Sequence, residues 1–133
     1  MTAIRNVLDT SALVAYWRRE KGGDRVAACL DADGLAMHMV NVSEFCFTAT
    51  RKLPDSFSPR FALAWLGENG ITIVQEFNHV WAEQVAEIRL AAPALNFGDG
   101  VAVALASTMN VPLLTTDRAF LRAADFAAID LIR

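Results

Sequence analysis

The chain has 133 residues, 54% of them hydrophobic and 20% charged, with a formal net charge of -3. That length fits one domain, residues 1–133, and the apolar content supplies a real core, which excludes a disordered chain. The acidic balance gives no general help toward a polyanion, so nucleic-acid binding would need bound divalent cations or a local cluster of the arginines, which are 10 of the 12 basic residues.

Ile4 to Leu8 is a short apolar run ending at Asp9-Thr10-Ser11, the pattern of a buried strand followed by a helix start. A helix is expected from Ala12 to Glu20, closed by Gly22-Gly23. Asp24 is placed to cap the next helix, Arg25 to Leu30. Leu35 to Val40 is strand-like after Gly34. Asn41 then opens a helix from Val42 to Lys52, ended by Pro54. Ser58-Pro59 starts a helix to Glu68, with proline at its favoured first position and Asn69-Gly70 as the stop. Ile71 to Val74 is a β-branched strand, and Asn78 caps a long helix to Leu90. After the loop from Pro93 to Gly98, Asp99 opens the apolar helix Val101 to Met109, stopped by Asn110. Val111 to Leu114 is a strand, Thr115-Thr116-Asp117 leads into a short helix to Ala124, and Ile129 to Ile132 is a last strand.

Strands alternate with helices, and the connections are longer than hairpins. Both features require right-handed crossovers and a mainly parallel sheet. The expected fold is therefore α/β, a three-layer α/β/α sandwich with four or five strands. No apolar run reaches the roughly 18 residues of a membrane span, and Asp9 interrupts the first one, so no signal peptide is read there and a soluble, cytoplasmic protein is expected. Cys29 and Cys46 lie in apolar helix-like runs and are expected to be reduced core cysteines.

Four acids fall where such a sheet collects functional groups, at the carboxyl ends of strands and the starts of helices. Asp9 follows the first strand, Glu44 lies in the first turn after the second, Asp99 begins the apolar helix, and Asp117 follows the strand ending at Leu114. Each has a plain alternative. Asp9 suits a turn, Asn41 and Glu44 have capping-box spacing, and Asp99 and Asp117 each suit a helix cap. Together they would repel one another and lose hydration unless cations neutralised them, and all-oxygen donors select Mg²⁺ or Mn²⁺. The matching chemistry is phosphodiester hydrolysis, in which such an ion polarises a phosphoryl oxygen and lowers the pKa of a bound water.

The segments Val7-Leu8-Asp9-Thr10-Ser11-Ala12-Leu13, Asn41-Val42-Ser43-Glu44-Phe45, Asp99-Gly100-Val101 through Ala106, and Leu113-Leu114-Thr115-Thr116-Asp117-Arg118-Ala119-Phe120 resemble, in order, the four motifs of PIN-domain nucleases. The nearest subgroup is the VapC toxins of bacterial toxin–antitoxin pairs. The resemblance implies a Mg²⁺- or Mn²⁺-dependent endoribonuclease acting on structured RNA, often tRNA or rRNA. It also implies a homodimer and inhibition by a VapB-type antitoxin. It makes Asp9 and Asp99 the central metal ligands, with Glu44 and Asp117 completing the site. Ser11 and Thr115 match hydroxyl positions that support the acids by hydrogen bonds. Two departures stand out. Ala119 occupies a place where many relatives carry another acid, which leaves one or two ions open. Gly100 replaces a larger residue and would give the backbone freedom there.

Other residues carry weaker signals. Arg118 beside Asp117 suits either an RNA phosphate contact or a solvated helix. Arg18, Arg19 and Lys21 suit an RNA path, an antitoxin contact or a plain helix end. His38 is expected to be a core or interface histidine and His79 a surface one, neither at zinc spacing. Of Tyr16, Trp17, Phe57, Phe61 and Trp65 most should be core, and an exposed subset would form a groove for an amphipathic partner helix. Among rival functions, an aspartyl-nucleophile phosphatase needs a second Asp where Ser11 stands. A response regulator needs a characteristic late lysine, and the only lysines are Lys21 and Lys52. A catalytically inactive PIN-like binding module is the remaining alternative, against which stand four intact acids.

Overall fold

A computed structural model describes residues 3–133; residues 1 and 2 of the expected domain lie outside the described residues. The strands are β1 (Asn6–Leu8), β2 (Leu35–His38), β3 (Thr72–Val74), β4 (Leu113–Thr115) and β5 (Ile129–Leu131). They form one parallel sheet in the order β3-β2-β1-β4-β5. The helices are α1 (Thr10–Arg18), α2 (Gly23–Ala32), α3 (Met39–Lys52), α4 (Pro59–Glu68), α5 (His79–Ala91) and α6 (Phe97–Met109), with a 3₁₀ helix over Arg118–Ala123.

The pleat divides the core. Val7 pairs with Ala36 and with Leu113, and all three face α5, α6 and the 3₁₀ helix. Leu8, Met37 and Leu114 point the other way, onto α1, α2, α3 and α4. Successive strand residues face opposite sides, and both sides are covered, so these strands are largely apolar. The three-layer α/β/α sandwich of five strands follows directly. β1 lies centrally, and the chain winds away from it on both sides, first through β2 and β3 and later through β4 and β5. The point where the winding reverses, between β1 and β4, is where a parallel sheet opens a crevice at its carboxyl edge.

Several expected boundaries shift, each for a local reason. β2 ends at His38 rather than Val40, because the His38 ring caps α3: its Nδ1 accepts from the Val40 amide at 3.1 Å. Asn41 therefore sits inside the first turn, buried, instead of capping it. Asp24 does not cap α2; the helix starts at Gly23 after Gly22 in the left-handed region at φ 95°. A side chain at Gly22 would collide with the backbone carbonyl of Ile132, so this turn needs glycine for space as well as for φ. α6 begins at Phe97, capped by Asn96, so Asp99 is its third residue and not its opener. Gly100 does not use its backbone freedom. It lets α5 approach, since a Cβ there would lie 3.0 Å from Arg89 Cγ and 3.1 Å from Val85 Cγ1.

His38 is 2% exposed, as a core histidine should be, and its Nε2 donates to the Glu76 carbonyl at 2.8 Å, the tautomer that leaves Nδ1 free to accept. His79 is exposed. Both cysteines are free and half-buried, and burial pushes the Cys46 thiol up, toward the unreactive form. No helix among the described residues is long and apolar enough to cross a membrane.

Candidate active site

Asp9, Glu44, Asp99 and Asp117 line a single cleft of about 550 Å³ at the carboxyl edge of the sheet. Four distant stretches of chain deliver them: the β1–α1 junction, the second turn of α3, the first turn of α6 and the β4–3₁₀ junction. Asp9 and Asp117 flank the reversal point between β1 and β4.

Asp9 is the most constrained of the four. It is 5% exposed and caps α1, with Oδ1 accepting from the Ala12 amide at 3.0 Å. Two hydroxyls converge on it. Ser11 Oγ donates to Oδ1 at 2.8 Å and lies 3.0 Å from Oδ2, while Thr115 Oγ1 donates to Oδ2 at 2.9 Å. Each hydroxyl in turn accepts a backbone amide of the β4 turn: Thr116 N–H reaches Ser11 Oγ at 3.1 Å, and Asp117 N–H reaches Thr115 Oγ1 at 3.0 Å. The accepted amide turns each hydroxyl proton toward the carboxylate, so the end of β4 is stitched to Asp9 through two short donor chains.

The other three acids are less enclosed. Glu44 receives Asn41 Nδ2 at 3.1 Å on Oε1, and the same amide group donates to the Gly98 carbonyl at 2.9 Å. Asn41 thus ties α3 to the start of α6. Gly98 leaves Glu44 its place, because a Cβ at that position would meet both of its carboxylate oxygens and push this flexible side chain aside. Asp99 closes a capping box: Asn96 Oδ1 accepts from the Asp99 amide at 2.8 Å, and Asp99 Oδ2 accepts from the Asn96 amide at 3.0 Å. Asp117 caps the 3₁₀ helix through Oδ1, accepting from the Ala119 amide at 2.9 Å. The capping alternatives for Asp9, Asp99 and Asp117 are therefore real, but they do not compete with clustering. A carboxylate at a helix N-terminus is favoured by the helix dipole, and here these N-termini open into one crevice.

Burial pushes the Asp9 carboxyl up to about 6, against its three hydrogen bonds, and the Asp99 charge adds to the rise. Burial likewise raises Glu44, with Asp99 contributing, and raises Asp99, with Asp117 contributing. None of the four acids forms an ion pair with Lys or Arg among the described residues; the pairs present involve Glu20 and Asp130. Repulsion within the cluster is thus offset only in part, by the Arg89 charge acting on Asp99 without a direct ion pair.

A hard divalent cation suits this donor set. All the carboxylate donors are oxygen, and the cleft lining contains no His or Cys. The side chains stand apart around an open cleft: among the described residues, no group of three or more His, Cys, Asp or Glu is placed to hold a metal ion as it stands.

The remaining sequence candidates divide. Ser11 and Thr115 are at the centre, Thr115 fully buried. Arg118 is exposed and does not line the cleft, because the 3₁₀ helix carries it away from the sheet edge. Arg18 does line it, together with Lys52 and Arg133, which sequence reasoning did not single out. Nor did it identify Asn41 and Gly98 as the holders of Glu44, or Asn96 as the cap. The Asn96-to-Asp99 spacing was the one available signal for the last. In the aromatic set Phe57 is buried, Tyr16, Trp17 and Trp65 are half-buried, and Phe61 is 45% exposed, with Trp17 stacked edge-on to Phe57 at 4.7 Å and to Trp65 at 5.2 Å.

Comparison with known proteins bears on the same surface. No curated protein matches the chain significantly by sequence. Among solved structures, the DNA-bound VapBC from Salmonella typhimurium is similar at 16% identity and TM-score 0.66, covering 96% of this chain and 97% of that one. VapBC2 from Rickettsia felis, bound to a promoter DNA fragment, gives 14% identity and TM-score 0.67 over 96% and 98%. VapBC-1 from nontypeable Haemophilus influenzae gives 17% identity and TM-score 0.66 over 98% and 100%. At these identities the likeness speaks for the fold. The sequence itself matches the PIN domain family model over residues 7–126, a span that contains all four acids and both hydroxyls of the cleft, and the chain belongs to the PIN domain family.

Proposed function

We propose that this protein is a Mg²⁺- or Mn²⁺-dependent endoribonuclease, the VapC-type toxin of a type II toxin–antitoxin pair, and that it cleaves structured RNA such as tRNA or rRNA. The observation that carries the proposal is the convergence of Asp9, Glu44, Asp99 and Asp117 on one cleft with no cationic side chain paired to any of them. A cluster that is costly by itself and composed only of oxygen donors would be relieved by divalent cations drawing the carboxylates together.

Asp9 and Asp99 would be the central ligands of one or two ions, with Glu44 and Asp117 completing the set. When bound, such an ion supplies Lewis acidity toward a phosphoryl oxygen and toward water. The chain's own contributions are positional. Ser11 and Thr115 fix both oxygens of Asp9, so that carboxylate is preorganised in a dry setting. Asn41 holds Glu44, with Gly98 leaving it room. Asp99 and Asp117 each commit one oxygen to a helix cap, which leaves the other free of a cap bond, and both residues line the cleft. No histidine lines the cleft, so no imidazole serves as general base. Ala119 withholds a fifth acid near Asp117, which leaves a single ion as one of the two options.

The proposed partners are a VapB-type antitoxin and a second copy of the chain. Similarity to the VapBC assemblies named above supports the first. The half-exposed aromatic surface of Trp17, Phe61 and Trp65 would receive an apolar helix face. Phe77 and Phe97, 40% and 46% exposed and edge-to-face at 5.9 Å, would supply a separate apolar surface for the homodimer.

The test is incubation of purified protein with RNA in Mg²⁺ or Mn²⁺, then with EDTA. The expected result is metal-dependent cleavage leaving 5′-phosphate and 3′-hydroxyl ends. EDTA-resistant cutting, or 2′,3′-cyclic phosphate ends, would contradict the mechanism. Hydrolysis of small phosphomonoesters without RNA cleavage would favour a phosphatase, which Ser11, standing where that class carries a second Asp, already disfavours. Metal binding without any cleavage would favour an inactive binding module.

A further inference from the structure

The chain is acidic overall, yet its proposed substrate is a polyanion. We infer that Arg18, Lys52 and Arg133 form a cationic rim on the acidic cleft and bind the RNA backbone phosphates that flank the scissile one, an assignment that rests on the ribonuclease reading above. These three residues come from the end of α1, the end of α3 and position 133 beyond β5, and the fold brings all three to the lining of the cleft that holds the four acids.

The rim is partly organised by Glu20. Arg18 Nε lies 3.8 Å from Glu20 Oε2, and Arg133 Nη2 lies 3.2 Å from Glu20 Oε1. Both arginine side chains remain 44% exposed, so these pairs are weak in water and hold the arginines at the rim without committing them. A phosphate offers each guanidinium the forked contact that one shared carboxylate cannot give to both. Lys52 is exposed and makes no ion pair among the described residues. Acids in the cleft and cations at its margin fit a backbone whose scissile phosphate meets metal-held carboxylates while its neighbours meet positive charge. The alternative occupant, an acidic protein segment, would need only the rim and would have no use for the carboxylates beside it.

The experiment reads salt dependence. A fluorescein-labelled single-stranded RNA of about a dozen nucleotides is titrated by fluorescence anisotropy with the full chain carrying Asp9→Asn, in metal-free buffer over a salt series. Arg18→Gln, Lys52→Gln and Arg133→Gln are added singly and together, with Arg60→Gln on α4 as a control that removes equal charge elsewhere. Each rim substitution is expected to lower the slope of log affinity against log salt by about 0.7, and the triple by about 2; Arg60→Gln leaves it unchanged. In the otherwise unaltered protein the triple substitution raises KM for RNA cleavage with little change in kcat. Equal slopes for the triple variant and the control would overturn the rim. So would a triple variant that binds RNA normally but no longer binds an acidic peptide. In either case metal-dependent cleavage by the unaltered protein would leave the ribonuclease reading standing, whereas loss of that cleavage is the separate failure of the reading itself.

Discussion

The two sides of the acidic cluster are built differently. Around Asp9, everything is fixed: a buried carboxylate, two hydroxyls and three backbone amides, all between the end of β1 and the end of β4. Around Asp99 and Asp117, each carboxylate keeps one capping bond and stands in partial or full exposure. The first side sets a position, and the second can adjust when charge enters the cleft. The difference follows from where the residues lie. Asp9 directly follows the central strand and is buried between β1 and β4, whereas Asp99 in the first turn of α6 and Asp117 at the cap of the 3₁₀ helix are more exposed.

The largest expected effect breaks the fixed side. Asp9→Asn should reduce metal-dependent cleavage by about a thousandfold or more, since it removes a central ligand worth several kcal/mol. Its effect on folding should run the other way. The Asp9 carboxyl titrates near 6 in the folded protein against an ordinary 3.8, so its contribution to stability is full below about pH 4 and is lost as pH rises through 6. Metal-free protein should therefore lose up to about 3 kcal/mol of stability between pH 4 and 7 through this group. Asp9→Asn should flatten that slope and melt higher than the unaltered chain at pH 7.5. Identical pH profiles of melting temperature for the two proteins would show that Asp9 is not held in a desolvated site.

Gly98→Ala tests the link between the two sides. The new methyl group meets the movable end of the Glu44 side chain, so the fold should survive while the carboxylate is displaced. A loss of roughly ten- to a hundredfold in kcat is expected, with the melting temperature nearly unchanged. Full activity would mean that Glu44 is not needed where it stands.

Thr115→Val should cost about 1–3 kcal/mol in chemical denaturation, because it strips the buried Asp9 carboxylate of a donor and takes the acceptor from the part-buried Asp117 amide. Asp117→Asn is the mirror experiment on the adjustable side. Asparagine caps a helix as well as aspartate does, so stability should change by no more than about 0.5 kcal/mol while cleavage falls. Equal stability losses for Thr115→Val and Asp117→Asn would erase the distinction between the two sides.

Much of this was legible in the chain. Apolar runs between helical segments gave the parallel sheet and both covering layers, because only burial on two faces makes a strand apolar throughout. The four acids could be singled out because each follows a strand or begins a helix, and connectivity alone sends those positions to one edge. The capping residues were harder to place. Asn41 has the composition and spacing of a cap, yet His38 takes that role, because β2 runs straight into α3 with no polar linker. Nothing local in the sequence distinguishes a histidine that caps from one that only packs.

The order of residues thus determined the fold class, the four carboxylates and their nearness to the carboxyl edge, since strand order and helix starts are local properties summed along the chain. Tertiary structure alone decided that Asn41 and Gly98 hold Glu44, that two hydroxyls and two turn amides hold Asp9, and that Arg18, Lys52 and Arg133 share the cleft while Arg118 does not. Those are relations between side chains far apart in sequence. Their distances depend on how the layers pack, and no periodicity within one segment records them.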